Sequence, residues 1–168
     1  MNKSHIVRIV ISFLILFFLN VSLFYKYLLV NFMDFIDSRP RNSNTLLYPF
    51  MSNSEYDPND INYQIKDKII DSIISFILLV YLLQKNYLQK KQNDILIFLF
   101  VFRMIGIYLF FQKKDRSFLI YFPNFFMEIM LLFIAIKEFS IDVKYLPSFV
   151  LFTLLLKLLQ EMYLHSSP

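Results

Sequence analysis

Apolar stretches long enough to cross a lipid bilayer recur five times in this 168-residue chain: Ile6 to Val30, Ile69 to Tyr87, Ile95 to Phe111, Phe118 to Ile136 and Leu146 to Leu164. A spanning helix needs about 20 predominantly apolar residues in succession. Hydrophobic residues make up 57% of the chain and mean hydropathy is +0.52, whereas an ordinary soluble domain is about 45 to 50% apolar. The pattern predicts an all-α, polytopic transmembrane helical bundle of about five spans. Residues 1–168 then form one integral membrane domain, with a polar loop of 38 residues, Asn31 to Lys68, between the first and second spans.

Residue usage removes whole classes of chemistry. Cysteine is absent, so disulfides, thiolate metal sites and thiol catalysis are all excluded. The two histidines, His5 and His165, stand near opposite ends of the sequence and offer a zinc or haem site almost no ligands. Gly106 is the single glycine, which leaves no Gly-rich cradle for nucleotide phosphates. No catalytic residue, metal or cofactor is therefore expected. Phe, Tyr, Ile, Leu, Asn and Lys dominate while Ala occurs only at Ala135 and Trp not at all, the bias of an AT-rich coding genome such as that of an organelle, an intracellular bacterium or a large DNA virus.

The formal charge is +4, but the bases fall in short segments between apolar runs. Lys85, Lys90, Lys91, Lys113, Lys114 and Arg116 read as headgroup anchors for helix ends, with the lipid bilayer rather than nucleic acid as partner. Met1 to Arg8 followed by an apolar run imitates the first two regions of a signal peptide. No small-residue cleavage site follows, so the first run is expected to remain as one uncleaved helix. In the polar loop, Arg39-Pro40-Arg41 and Asp57-Pro58-Asn59-Asp60 read as turns, and Tyr48-Pro49-Phe50-Met51 is an apolar island suited to a membrane surface or a partner. If all five runs cross, Lys3, Arg8, Lys85, Lys90, Lys91, Lys137 and Lys144 lie on one side. Arg39, Arg41, Lys66, Lys68, Lys113, Lys114 and Arg116 lie on the other, a tie of seven against seven under the positive-inside rule. Six acids in the polar loop lean the N-terminus toward the cytoplasmic or matrix-like side.

The candidate site is a set of polar residues inside the apolar runs. Arg103, Glu128 and Lys157 lie near mid-run and Asp71 just inside another, positions where an ionised group costs roughly 2.5 to 3.5 kcal/mol unless partnered. Counting from the turn at Gln112 to Ser117 puts Arg103 nine residues deep and Glu128 eleven, within about 3 Å in depth at 1.5 Å per residue. They are expected to pair, with Lys157 in the same layer. Helical spacing adds Tyr121 and Asn124 to the Glu128 face, Thr153, Gln160 and Glu161 to the Lys157 face, Ser75 to the Asp71 face, and Asn20 with Ser12 on the first helix. Pro123, one turn before Glu128, must free a backbone carbonyl.

Two uses of this layer compete. It can fix helix register in a non-catalytic structural or interaction subunit of a membrane assembly, or it can pass protons or small ions. Near absence of Gly and Ala disfavours a solute carrier, whose helices cross closely and break in repeated halves. Large Phe and Leu faces suit a bundle that completes its packing against lipid, other membrane subunits or copies of itself. In size and composition the five runs resemble small organelle-encoded subunits of respiratory complexes, although the Gly-rich helix of one such subunit is missing.

Overall fold

The computed structural model describes residues 3–37 and 61–165, and every regular element among them is helical. The chain divides into two compact units, Met1–Leu78 and Leu79–Pro168, with the boundary inside one helix.

The first unit holds α1 (Lys3–Phe18), α2 (Leu23–Asp37) and most of α3 (Ile61–Gln84). The first apolar run is therefore two helices where the sequence predicts one. Asn20 and Ser22, both weaker helix formers than the Leu residues before them, sit at the break. The Ser22 carbonyl accepts the Lys26 N–H at 3.1 Å, opening α2. The Lys26 ammonium reaches back to the Leu16 carbonyl at 2.8 Å. A continuous helix would hold residues ten apart about 15 Å from each other, beyond that reach. The chain folds back, and α1 packs against α2. Arg8, Ser12 and Leu16 recur every four residues on the buried face of α1, and Leu23, Tyr27 and Val30 are buried on α2.

Helix reaches into both ends of the polar segment: α2 continues through Asp37 and α3 begins at Ile61. Falling hydropathy was the signal for a loop, yet Asn31, Asp34, Lys66 and Lys68 are compatible with helix and simply end its apolar character. The proposed turns at Arg39-Pro40-Arg41 and Asp57 to Asp60 and the island at Tyr48 to Met51 lie outside the described residues.

The second unit contains α4 (Lys90–Lys113), α5 (Ser117–Tyr121), α6 (Phe125–Glu138), a 3₁₀ turn (Val143–Tyr145) and α7 (Leu146–His165). At the start of α4 the Gln89 N–H donates to the Gln92 side chain at 3.0 Å. With one glycine in the chain, the left-handed positions at helix ends fall to Asn86 (φ 46°), Lys114 (φ 53°) and Ser140 (φ 52°). Each is followed or accompanied by a closing bond: Tyr87 N–H to Leu82 O, Lys114 N–H to Phe110 O, and Ile141 N–H to Ile136 O. Two stretches, Lys90–Lys113 and Ser117–Glu138, are long and apolar enough to cross a membrane.

Pro123 interrupts the second of these, as its missing N–H requires, and separates α5 from α6. Both α5 and α6 pack against α4 and against α7. Leu96, Phe110, Leu119, Phe126, Met130 and Ile134 are fully enclosed at the centre. Gly106 of α4 lies directly against Phe122: a Cβ there would overlap the Phe122 Cβ and come within 2.7 Å of its Cγ. Gly106→Ala is therefore expected to cost about 1 to 3 kcal/mol by overpacking, read as a fall in thermal unfolding temperature in detergent. An unchanged transition would show that α4 and the helix break do not meet this closely.

Candidate functional site

Arg103 faces the break in the fourth run. Because Pro123 has no N–H, the carbonyl four residues earlier, Leu119 O, loses its helical donor, and the unwound link orphans Phe122 O as well. The Arg103 guanidinium donates to both, at 3.4 Å to Leu119 O and in a short bond to Phe122 O. Arg103 is 5% exposed. The Phe102 ring lies 4.8 Å from that of Phe122, and the Phe100 ring 5.5 Å from Phe126. The strings Phe102 to Gly106 and Tyr121 to Glu128 thus form one contact, in which a cationic side chain replaces backbone donors.

Glu128, in the first turn of α6, forms its ion pair with Lys157 of α7: Nζ to Oε1 is 2.9 Å. The expected partner, Arg103, has its guanidinium on the Leu119 and Phe122 carbonyls instead. Depth arithmetic matched Arg103 and Glu128 in level, but the break after Tyr121 changes the direction in which Glu128 leaves its helix. The pair is well covered, with side-chain exposures of 11% for Lys157 and 30% for Glu128. Lys157 also donates to Gln160 at 3.2 Å. It belongs to the half-buried line Leu146, Val150, Thr153, Leu154 and Lys157 along α7. The other Glu128 oxygen, Oε2, is buried and accepts no hydrogen bond among the described residues.

The remaining candidates are placed differently. Asn124 is half-buried at the N-terminal edge of α6, while Tyr121, on the far side of the break, is exposed. Asn20 is exposed in the link between α1 and α2, so it shares no helical face with the buried Ser12. Asp71, with Asn20, belongs to the first unit; Arg103, Asn124, Glu128 and Lys157 belong to the second. Asp71 accepts from Arg8 at 2.7 Å and from Lys68 at 3.3 Å. Asp67 completes the group, 2.8 Å from Lys68 and 3.9 Å from Arg8. Arg8 of α1 thus meets Asp67, Lys68 and Asp71 well inside α3.

From the sequence, Arg8 and Lys68 read only as flanking bases. The available signal was symmetry of position: Arg8 is two residues inside the first run and Asp71 two residues inside the second. A third contact, also missed, joins the turns that flank the second unit's helices. The Tyr87 hydroxyl donates to Glu138 Oε2 at 3.0 Å, and Lys137 donates to the Tyr87 carbonyl while its ammonium lies 4.1 Å from the ring centre. Aromatic and charged side chains in the connecting turns were the only hint of it.

No family model matches this chain, and no curated protein or solved structure matches it either.

If the ion pair is the energetic link between α6 and α7, breaking it from one side strands a covered charge. Glu128→Gln or Lys157→Met is expected to destabilise by about 3 to 5 kcal/mol, whereas the double variant loses much less. A double-mutant cycle on thermal stability in detergent measures that coupling; purely additive losses would remove the pair as a structural link.

Proposed function

We propose that this chain is a multi-pass integral membrane protein of non-catalytic, structural or interaction type, acting as a subunit of a membrane assembly. Runs two to five are its proposed crossings. The observation that carries the reading is the exterior of the second unit. Ile95, Phe98, Val101, Ile105 and Tyr108 project from α4, and Phe149, Leu151, Phe152, Leu155, Leu156 and Leu159 from most of the circumference of α7. Apolar exposure on this scale is unfavourable in water and matches acyl chains or the flanks of neighbouring membrane subunits. The polar side chains within the runs support the same reading. Arg103 satisfies backbone carbonyls and Lys157 neutralises Glu128, tasks of helix placement.

Extraction in a gentle detergent followed by native mass measurement tests the assembly. The expected result is a species heavier than one chain, made of copies of this protein or of co-purifying membrane subunits. A stable lone monomer would overturn the subunit role.

One observation favours a second reading, a small proton or ion conductor. Glu128 Oε2 is buried with an unused acceptor, a group that could take and release a proton beside Lys157. Proton flux into vesicles that is abolished by Glu128→Gln would replace the structural reading with this one.

A further inference from the structure

The first apolar run is long enough to cross a bilayer, and a crossing would put its two ends on opposite faces. Three observations oppose that path. The chain reverses at residues 19–22, where Lys26 reaches back to the Leu16 carbonyl at 2.8 Å, and α1 packs against α2 along the returning strand of chain. Arg8, at the start of α1, forms a 2.7 Å ion pair with Asp71, close to where the second run begins. Had the first run crossed, those two residues would be separated by the hydrocarbon core, about 30 Å thick. Asp67 and Lys68 join the same group, so Arg8 lies level with the stretch of α3 just before the second apolar run.

We propose that α1 and α2 form a re-entrant hairpin that enters the bilayer from one face and returns to it, with lipid acyl chains as the partner of its outer surface. This rests on the membrane reading given above and changes the path of the first run. From Ile6 to Asn20 the limb measures about 21 Å, past the midplane and short of the opposite headgroups. Its outer faces are apolar throughout: Ile6, Val10, Phe13, Leu14 and Phe17 on one limb, Tyr25, Leu28, Leu29 and Phe32 on the other. Phe18, Leu19 and Val21 are exposed around the turn, together with the uncharged polar Asn20. Hydrocarbon offers no donor for a carbonyl freed at a helix end. Lys26, buried itself, supplies one to Leu16, which is what a turn deep in lipid requires.

The hairpin also resolves orientation. Lys3 and Arg8 move to the side of Arg39, Arg41, Lys66, Lys68, Lys113, Lys114 and Arg116, turning seven against seven into nine against five. The positive-inside rule then places the N-terminal end of α1 and the start of α3 on the cytoplasmic or matrix-like face.

Native absence of cysteine makes the test clean, since any single introduced thiol reports alone. Ser4→Cys, Asn20→Cys and Asp37→Cys are made separately in the full chain and exposed to a membrane-impermeant maleimide in right-side-out and inverted vesicles. Lys90→Cys and Gln112→Cys, at the two ends of α4, serve as controls. The expected result is labelling of positions 4 and 37 from the same face, and protection of position 20 from both faces until detergent is added. Labelling of 4 and 37 from opposite faces would overturn the hairpin in favour of a kinked crossing. Labelling of position 20 in intact vesicles would overturn the embedded turn, placing the hairpin on the surface or carrying its tip through. Positions 90 and 112 labelling from opposite faces keep the membrane reading intact whichever way the hairpin result falls; both labelling from one face would sink that reading itself.

Discussion

Backbone groups freed at helix breaks govern this structure more than any single ion pair. An apolar setting supplies no water to a carbonyl that has lost its donor, and each unsatisfied group costs several kcal/mol. Two long side chains answer that demand. Arg103 covers the Leu119 and Phe122 carbonyls left by Pro123, and Lys26 covers the Leu16 carbonyl at the turn between α1 and α2. In both cases a residue whose charge first suggests ion transport or catalysis performs the work of a missing N–H. The cation is well suited to it because a charge-assisted hydrogen bond is stronger than the neutral bond it replaces.

Those two substitutions place the rest. With Arg103 drawn to the break, Gly106 comes against Phe122 and the aromatic rings of α4 interleave with those beside Pro123. The break in turn starts α6 afresh, so that Glu128 falls in its first turn, where a carboxylate is favoured by the helix dipole. There it meets Lys157 from the narrow inner line of α7. Helix α7 has only half-covered residues on that line, so the ion pair carries a larger share of its attachment than it would in a helix with a fully enclosed apolar face.

The proposed hairpin extends the same logic. Folding back at residues 19–22 requires a donor for Leu16 and a level partner for Arg8, and both are present, in Lys26 and Asp71. The ion-paired charges Arg8, Asp67, Lys68 and Asp71 then lie away from the turn, and the Lys26 ammonium is buried beside it on the Leu16 carbonyl. In a membrane this arrangement leaves the Arg8–Asp71 group near the headgroups and the turn in the hydrocarbon, with the Lys26 ammonium enclosed between the two limbs.

How much of this was legible without the tertiary structure differs from residue to residue. Helical class, two runs of crossing length and the interruption at Pro123 follow from composition, run length and the absent N–H of proline, which are local properties. The importance of Arg103, Glu128, Lys157 and Asp71 was also legible, because an ionisable residue inside an apolar run demands a partner wherever it lies. Which partner it takes was not. Depth along a helix can be counted, but azimuth cannot be carried across a break, so Arg103 and Glu128 matched in level and still found different partners. The fold-back at Asn20 and Ser22 was hidden for a related reason: a hydropathy run records how apolar the chain is and not its direction. The sequence by itself determined that its apolar runs would be helical and that their charges would be neutralised; only the tertiary structure decided the pairings, since those depend on where breaks rotate and reverse the chain and on which distant side chain reaches the backbone groups that the breaks release.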